Sequence, residues 1–100
     1  MQDVSALSTF FSPRSVAVVG ASSDPKKPGN IALRNMRSMG YRGKIFPVNP
    51  REQSILGEKS YRSLAEVPEP IDIVNVFRAP DALPGIAREA VAIRAKYLWC

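Results

Sequence analysis

The chain has 100 residues, 45% hydrophobic and 23% charged, with a formal net charge of +5. This balance belongs to a folded globular chain and excludes a disordered tail or a collagen-like repeat; at this length one core is expected, so residues 1–100 read as a single domain. No apolar run reaches the ~18 residues of a membrane helix, and Met1-Gln2-Asp3 lacks the basic and apolar regions of a secretion signal. Histidine is absent, which removes histidine triads, phosphohistidine chemistry and most zinc sites. The single cysteine, Cys100, forms no internal disulfide or thiolate metal site and suits a cytoplasmic protein.

The charge is uneven. Lys26 to Arg62 holds nine basic residues against Glu52 and Glu58, a local excess of +7, while the remainder sums to −2. Such a segment attracts an anionic partner, and it also fits an ordinary solvated basic face.

In chain order, Val4, Ala6, Leu7, Phe10 and Phe11 have helical spacing within residues 3–11, stopped by Ser12-Pro13. Val16-Ala17-Val18-Val19 is a continuous apolar run of the kind buried on both faces of a parallel sheet, ending at Gly20. After a polar loop, Asn30 to Met39 reads as a helix capped by Asn30 and closed by Gly40, with Ala32, Met36 and Met39 facing inward. Lys44 to Val48 predicts a second strand, 51–61 an irregular stretch around Gly57, and Ser63 to Val67 a helical turn. A third strand spans Ile71 to Phe77, and a helix follows with Ile86, Ala90 and Ile93 on one face. Tyr97 to Cys100 begins a fourth strand, with Trp99 read as a core residue. Alternation of strands and helices predicts an α/β, Rossmann-like three-layer fold with a parallel sheet and right-handed crossovers. Because the sequence stops inside a strand with no covering helix, Tyr97 to Cys100 either forms an edge or the fold is shortened at its C-terminal end.

Ligands of such sheets bind where loops leave the carboxyl ends of the strands. The first loop, Gly20-Ala21-Ser22-Ser23-Asp24-Pro25-Lys26-Lys27-Pro28-Gly29, has the parts of a phosphate cradle: a glycine turn, hydroxyls, backbone N–H groups, lysines and a following helix N-terminus. It lacks the G-x-G-x-x-G and G-K-[ST] patterns, and an ordinary surface loop has the same composition. In the second, Val48-Asn49-Pro50-Arg51, the acidic residue that grips the ribose of NAD is replaced by Asn and Arg. That change suits a nucleotide with an extra ribose phosphate, as in coenzyme A or NADP, although turn chemistry alone also explains Asn49-Pro50. In the third, Phe77-Arg78-Ala79-Pro80, Phe77 either meets a ligand or fills the core. Arg78 either forks onto phosphate or pairs with Asp81 or Asp72. No paired carboxylates stand at these loops, so no self-sufficient catalytic set is visible.

Taken together, Ser12-Pro13-Arg14-Ser15-Val16-Ala17-Val18-Val19-Gly20-Ala21-Ser22, Pro47-Val48-Asn49-Pro50, and Ile55-Leu56-Gly57 with Tyr61 and Ser63-Leu64 resemble the CoA-binding domain family. These are Rossmann-like domains that occur as small proteins and at the front of ADP-forming acyl-CoA synthetases and the succinyl-CoA synthetase α subunit. The resemblance implies coenzyme A or an acyl-CoA as ligand. It puts the pyrophosphate region at Gly20, Ala21, Ser22, Ser23, Lys27 and Pro28, with the Ser22 and Ser23 amides holding it. Val48, Asn49, Pro50 and Arg51 would border the adenosine, with Arg51 at the 3′-phosphate, and Phe77, Arg78, Ala79 and Pro80 would close the site. Family members normally continue past the point corresponding to Cys100.

The expected function is therefore CoA binding without chemistry of its own, with association to a ligase subunit or self-association as partners. A fragment or subunit of an ADP-forming acyl-CoA ligase is the alternative, since the synthetases also need a phosphorylated histidine and an ATP-binding domain. An NADP-binding redox or sensor domain is disfavoured by the missing glycine fingerprint. Nucleic-acid binding ranks last, because Tyr41, Phe46 and Tyr61 make no obvious stacking platform.

Overall fold

All five residues of the first strand, β1 (Ser15–Val19), are buried, because the strand runs down the middle of a sheet covered on both faces. The computed structural model describes residues 12–100, and the helix expected over 3–11 lies outside the described residues. After β1 come α1 (Pro28–Ser38), β2 (Lys44–Val48), a hairpin of β3 (Ser54–Ile55) and β4 (Glu58–Lys59), and a 3₁₀ turn at Leu64–Glu66. Then follow β5 (Ile73–Val76), a second 3₁₀ turn at Pro80–Ala82, α2 (Leu83–Ala92) and β6 (Tyr97–Trp99).

The main sheet is parallel throughout, in the order β2-β1-β5-β6. From β1 the chain steps outward to β2 and returns on the other side as β5, so the strand order reverses between β1 and β5. Loops diverge at such a reversal and leave a crevice.

Alternation along β1 divides the core in two. Val16 and Val18 join Leu33 of α1, Ile45 and Ile55; Ala17 and Val19 join Phe46, Val74, Val76 and, from α2, Ile86 and Ala90. These two layers of side chains on one sheet are the expected three-layer α/β fold. Each fully buried valine or isoleucine contributes roughly 1.5–3 kcal/mol of hydrophobic stabilisation.

The local expectations need four corrections. First, α1 starts at Pro28, two residues before Asn30, and its N-cap is Lys27 without a side-chain cap bond. Asn30 is instead only 1% exposed inside the first turn, its Nδ2 donating to the Ser22 carbonyl at 3.0 Å. Second, the inward face of α1 carries Gly29, Asn30 and Leu33, while Met39 is 86% exposed. Third, the stretch around Gly57 is the β3–β4 hairpin. Leu56 and Gly57 take positive φ values of 51° and 79°. A tight type I′ turn requires positive φ at both of its central residues. The turn tucks Ile55 into the α1-side core.

Fourth, Trp99 is 57% exposed on β6 rather than core. It lines a hollow of about 500 Å³ with Met36, Tyr41, Ile73 and Asn75, on the α1 side of the sheet. At the opposite end of the strands from the crevice, Asp72 ties the sheet together. It accepts from the Arg14 N–H at 2.8 Å through its carboxylate and from the Lys96 and Tyr97 N–H groups through its carbonyl. Asp72 precedes β5 whereas Arg78 follows it, so these two do not pair.

Candidate functional site

Three strand ends build the crevice, and glycine makes their approach possible. Gly20 leaves β1 with φ of +90°, and a Cβ there would stand 2.5 Å from the Phe77 carbonyl oxygen. Its N–H donates to the Val48 carbonyl at 3.1 Å, and the Phe77 N–H donates to the Val19 carbonyl at 2.8 Å. The β1, β2 and β5 exits are thus bonded to one another directly. Gly29 plays the matching role from the helix. A Cβ at that position would lie 2.1 Å from the Gly20 carbonyl oxygen, so the first turn of α1 rests on the turn out of β1. Gly29 is not among the site residues expected from the sequence, and the signal for it is the Pro28-Gly29 pair opening a helix.

Side chains then lock the loops. Asn49 Nδ2 donates to the Ala21 carbonyl at 2.8 Å. Asn49 Oδ1 accepts from the Arg51 N–H at 2.8 Å, closing an Asx turn. Ser22 Oγ accepts from the Asp24 N–H and Asp24 Oδ1 from the Lys26 N–H, each at 3.0 Å. These turns shape the path from β1 into α1. Beyond β2, Tyr61 bridges to Val48 and exchanges backbone bonds with Pro47 and Asn49, extending the sheet by one residue at its edge.

The resulting cleft has a volume of about 410 Å³ and is lined by Gly20, Ala21, Ser22, Lys27, Val48, Asn49, Pro50, Arg51, Phe77, Arg78 and Ala79. Ser23, Pro28 and Pro80, also expected at the site, are exposed neighbours outside its lining. Ser23 departs further from expectation: its N–H already donates to Glu52 Oε2 at 3.1 Å. Phe77 is half-buried, packing against the α1-side core while bordering the cleft, so both of its candidate roles apply.

The electrostatics of the cleft follow from which cations are already engaged. Arg34 is bound to Asn30 and the Pro25 carbonyl; Arg37 reaches Glu58 and the carbonyls of Tyr41 and Gly43; Lys44 pairs with Glu69. Three of the nine cations of the basic segment are therefore engaged on α1 and at the sheet margin. Lys27, Arg51 and Arg78 are the cations that line the cleft, all exposed and all without an ion-pair partner among the described residues. Arg78 also lacks the Asp81 pairing that is its alternative. Three cations from three different loops face one polar cleft, an arrangement suited to a multiply charged anion. No three metal-ligating side chains converge among the described residues. Among the described residues, a displaced pKa marks the α1-side hollow. There burial, reinforced by the Asp72 charge, holds the Tyr41 hydroxyl above its ordinary value of 10.0, with Arg37 opposing. Both causes disfavour the phenolate.

Fold and site together define a parallel α/β nucleotide-type domain with a cationic cleft at its topological switch point. The family described as "CoA binding domain" matches residues 14–100, and the chain belongs to that family. It is 43% identical over 84 residues to the uncharacterized protein YneT of Bacillus subtilis, covering 84% of this chain and 61% of that protein. The α subunit of the ADP-forming acetate–CoA ligase II of Pyrococcus furiosus is 45% identical over 70 residues, which is 70% of this chain and 15% of the subunit. Among solved structures, a dinucleotide-forming acetyl-coenzyme A synthetase 1 of Ca. Korarchaeum cryptofilum, in complex with phosphate and ADP, superposes with a TM-score of 0.89 at 35% identity. The match covers 92% of this chain and 20% of that one. The chain thus spans about three fifths of the first relative and a small part of the ligases.

Proposed function

We propose that this chain binds coenzyme A or an acyl-CoA in the cleft at the ends of β1, β2 and β5, as one binding unit and without chemistry of its own. The observation that carries the reading is the convergence of Lys27, Arg51 and Arg78, each lacking an ion-pair partner among the described residues, on a polar cleft where three strand exits meet. Membership of the CoA-binding domain family supports the choice of ligand. In this reading the Ser22 and Ser23 amides and Lys27 hold the pyrophosphate, Asn49 keeps the β2 exit against the β1 turn, and Arg51 meets the 3′-phosphate. Pro28 and Pro80 shape the rim, and Phe77 and Ala79 close the side next to Arg78.

Calorimetric titration with CoA, dephospho-CoA, NADP and NAD tests this. CoA is expected to bind more tightly than dephospho-CoA, and Arg51→Ala is expected to erase most of that difference. Equal losses for both ligands would remove Arg51 from the 3′-phosphate, and NADP binding without CoA binding would turn the assignment toward a redox domain.

A second reading is supported by the ligase relatives: the chain works as part of, or beside, an ADP-forming acyl-CoA ligase. Because it contains no histidine, any phosphohistidine step would come from a partner subunit or domain. Co-elution with an ATP-binding ligase subunit on size-exclusion chromatography would support this, and elution as a single chain or self-associated form would favour the binding module. No helix among the described residues is long and apolar enough to cross a membrane. The lone, exposed Cys100 fits a reducing cytoplasm.

A further inference from the structure

Glu52 stands two residues past Pro50 on the loop leaving β2, and its carboxylate crosses to the loop leaving β1. One oxygen, Oε2, accepts from the Ser23 N–H at 3.1 Å and from Asn49 Nδ2 at 3.3 Å. The same Asn49 Nδ2 donates to the Ala21 carbonyl at 2.8 Å. A single anionic oxygen is thus held by N–H donors from two loops, beside the cleft that Ala21, Ser22 and Asn49 line. No lysine or arginine pairs with Glu52 among the described residues, although Arg51 is its immediate neighbour in sequence. Its charge is met by N–H dipoles, which are also the usual partners of phosphate oxygens.

From this we propose that Glu52 is a built-in competitor for phosphate, occupying the Ser23 amide in the free protein and giving it up when a diphosphate group enters. An oxyanion that needs the Ser23 N–H must displace the carboxylate, and one that approaches without displacing it meets a like charge. Only a ligand carrying enough negative charge to recruit Lys27, Arg51 and Arg78 at once recovers that cost. Glu52 therefore weakens every ligand that takes the Ser23 amide by a common factor, and only one whose charge also recruits Lys27, Arg51 and Arg78 still binds appreciably at low concentration. For coenzyme A this rests on the proposed function above; for pyrophosphate it rests on the geometry alone. If the carboxylate occupies the amide about 80–90% of the time, removing it tightens binding roughly five- to tenfold, the inverse of the competent fraction.

The test follows the Ser23 amide in ¹H–¹⁵N spectra of the whole chain while inorganic pyrophosphate, orthophosphate and, separately, CoA are titrated into wild type, Glu52→Ala and Glu52→Gln. The Ser23 resonance is expected to shift on substitution. Pyrophosphate is expected to bind about five- to tenfold more tightly to Glu52→Ala, and by a smaller factor to Glu52→Gln, which keeps an acceptor but loses the charge. Orthophosphate should gain by the same factor if it takes the Ser23 amide and should be unchanged if it does not. Unchanged or weaker pyrophosphate binding in both variants overturns the competitor role and makes Glu52 a brace for the loops, as does a Ser23 amide that never responds to pyrophosphate. If CoA binds none of the proteins while pyrophosphate tightens, the CoA assignment fails and the competitor stands. If CoA binds wild type and both variants lose it, the competitor fails and the CoA assignment stands. Glu52→Gln preserves size and polarity, so it decides the matter even should Glu52→Ala disturb folding.

Discussion

Gly29→Ala is expected to destabilise the domain, even though alanine is the better helix former. Within a helix the exchange favours alanine by up to about 1 kcal/mol. Against this, the new Cβ would stand 2.1 Å from the Gly20 carbonyl oxygen, 2.9 Å from the Gly20 carbonyl carbon and 3.0 Å from Ala21 Cα. All three are backbone atoms, so no side chain can swing aside. Gly20 itself cannot retreat, because it is bonded to the Val48 carbonyl and a Cβ on it would already overlap Phe77. Overpacking of this kind costs about 1–3 kcal/mol and sometimes more, so the net loss is on the order of 2 kcal/mol. For a domain of this length that lowers Tm by roughly 10 °C.

Urea denaturation followed by circular dichroism measures it, with Gly85→Ala in α2 as the matched control. The nearest atom to a Cβ at Gly85 is the flexible Arg88 Nη2, at 3.8 Å. There, propensity acts alone, and a gain of about 0.5 kcal/mol is expected. Should Gly29→Ala prove as stable as wild type, the claim that the first turn of α1 is seated on the β1 turn would be refuted, and the geometry of the whole cleft with it.

Other substitutions separate binding from stability. Arg78→Ala removes an exposed cation with no ion-pair partner among the described residues. It should weaken CoA about tenfold and reduce the salt dependence of binding. Its stability should stay within about 0.5 kcal/mol of wild type, as for most surface substitutions. A large fall in Tm with unchanged binding would contradict that. Asn49→Asp keeps the acceptor for the Arg51 N–H but loses the donor to the Ala21 carbonyl and sets a second carboxylate beside Glu52. It should cost about 1–2 kcal/mol in urea melts and impair anion binding, whereas a neutral outcome would mean that the two loops are held elsewhere. For Tyr41, whose pKa is raised in the folded state, the fold favours the neutral hydroxyl. Its contribution to stability is complete below about pH 10 and is lost as the pH rises through the raised folded value. Tyr41→Phe removes the bond from the hydroxyl to the Pro13 carbonyl. It should lose about 1 kcal/mol at neutral pH and should show a shallower decline than wild type above about pH 10; parallel declines would contradict this.

How much of this was legible in the sequence depended on the range of the interaction. The run Val16 to Val19 revealed a doubly buried strand because its residues need only be apolar on both sides, whatever covers them. Gly20 and the loop compositions marked the strand ends, and strand–helix alternation implied that those ends lie together, so the three loops that meet at the cleft could be named in advance. The stripe on α1 could not. Ala32-Met36-Met39 and Gly29-Leu33-Met36 both have helical spacing, and nothing local chooses between them. The choice comes from the seat of Gly29 on Gly20, which sets the rotation of the helix and turns Leu33 inward and Met39 out. Asn30 had the chemistry of a cap, yet the Ser22 carbonyl eight residues away claims its side chain. Glu52 looked like a lone surface acid until folding brought it to an amide 29 positions earlier. Periodicity, turn residues and charge are properties of neighbours along the chain, and by themselves they determined the four strands of the main sheet, the three loops at their ends and the local excess of positive charge. Helix rotation and the partners of Asn30, Asn49 and Glu52 depend on distances across the sheet, which exist only once the backbone has closed.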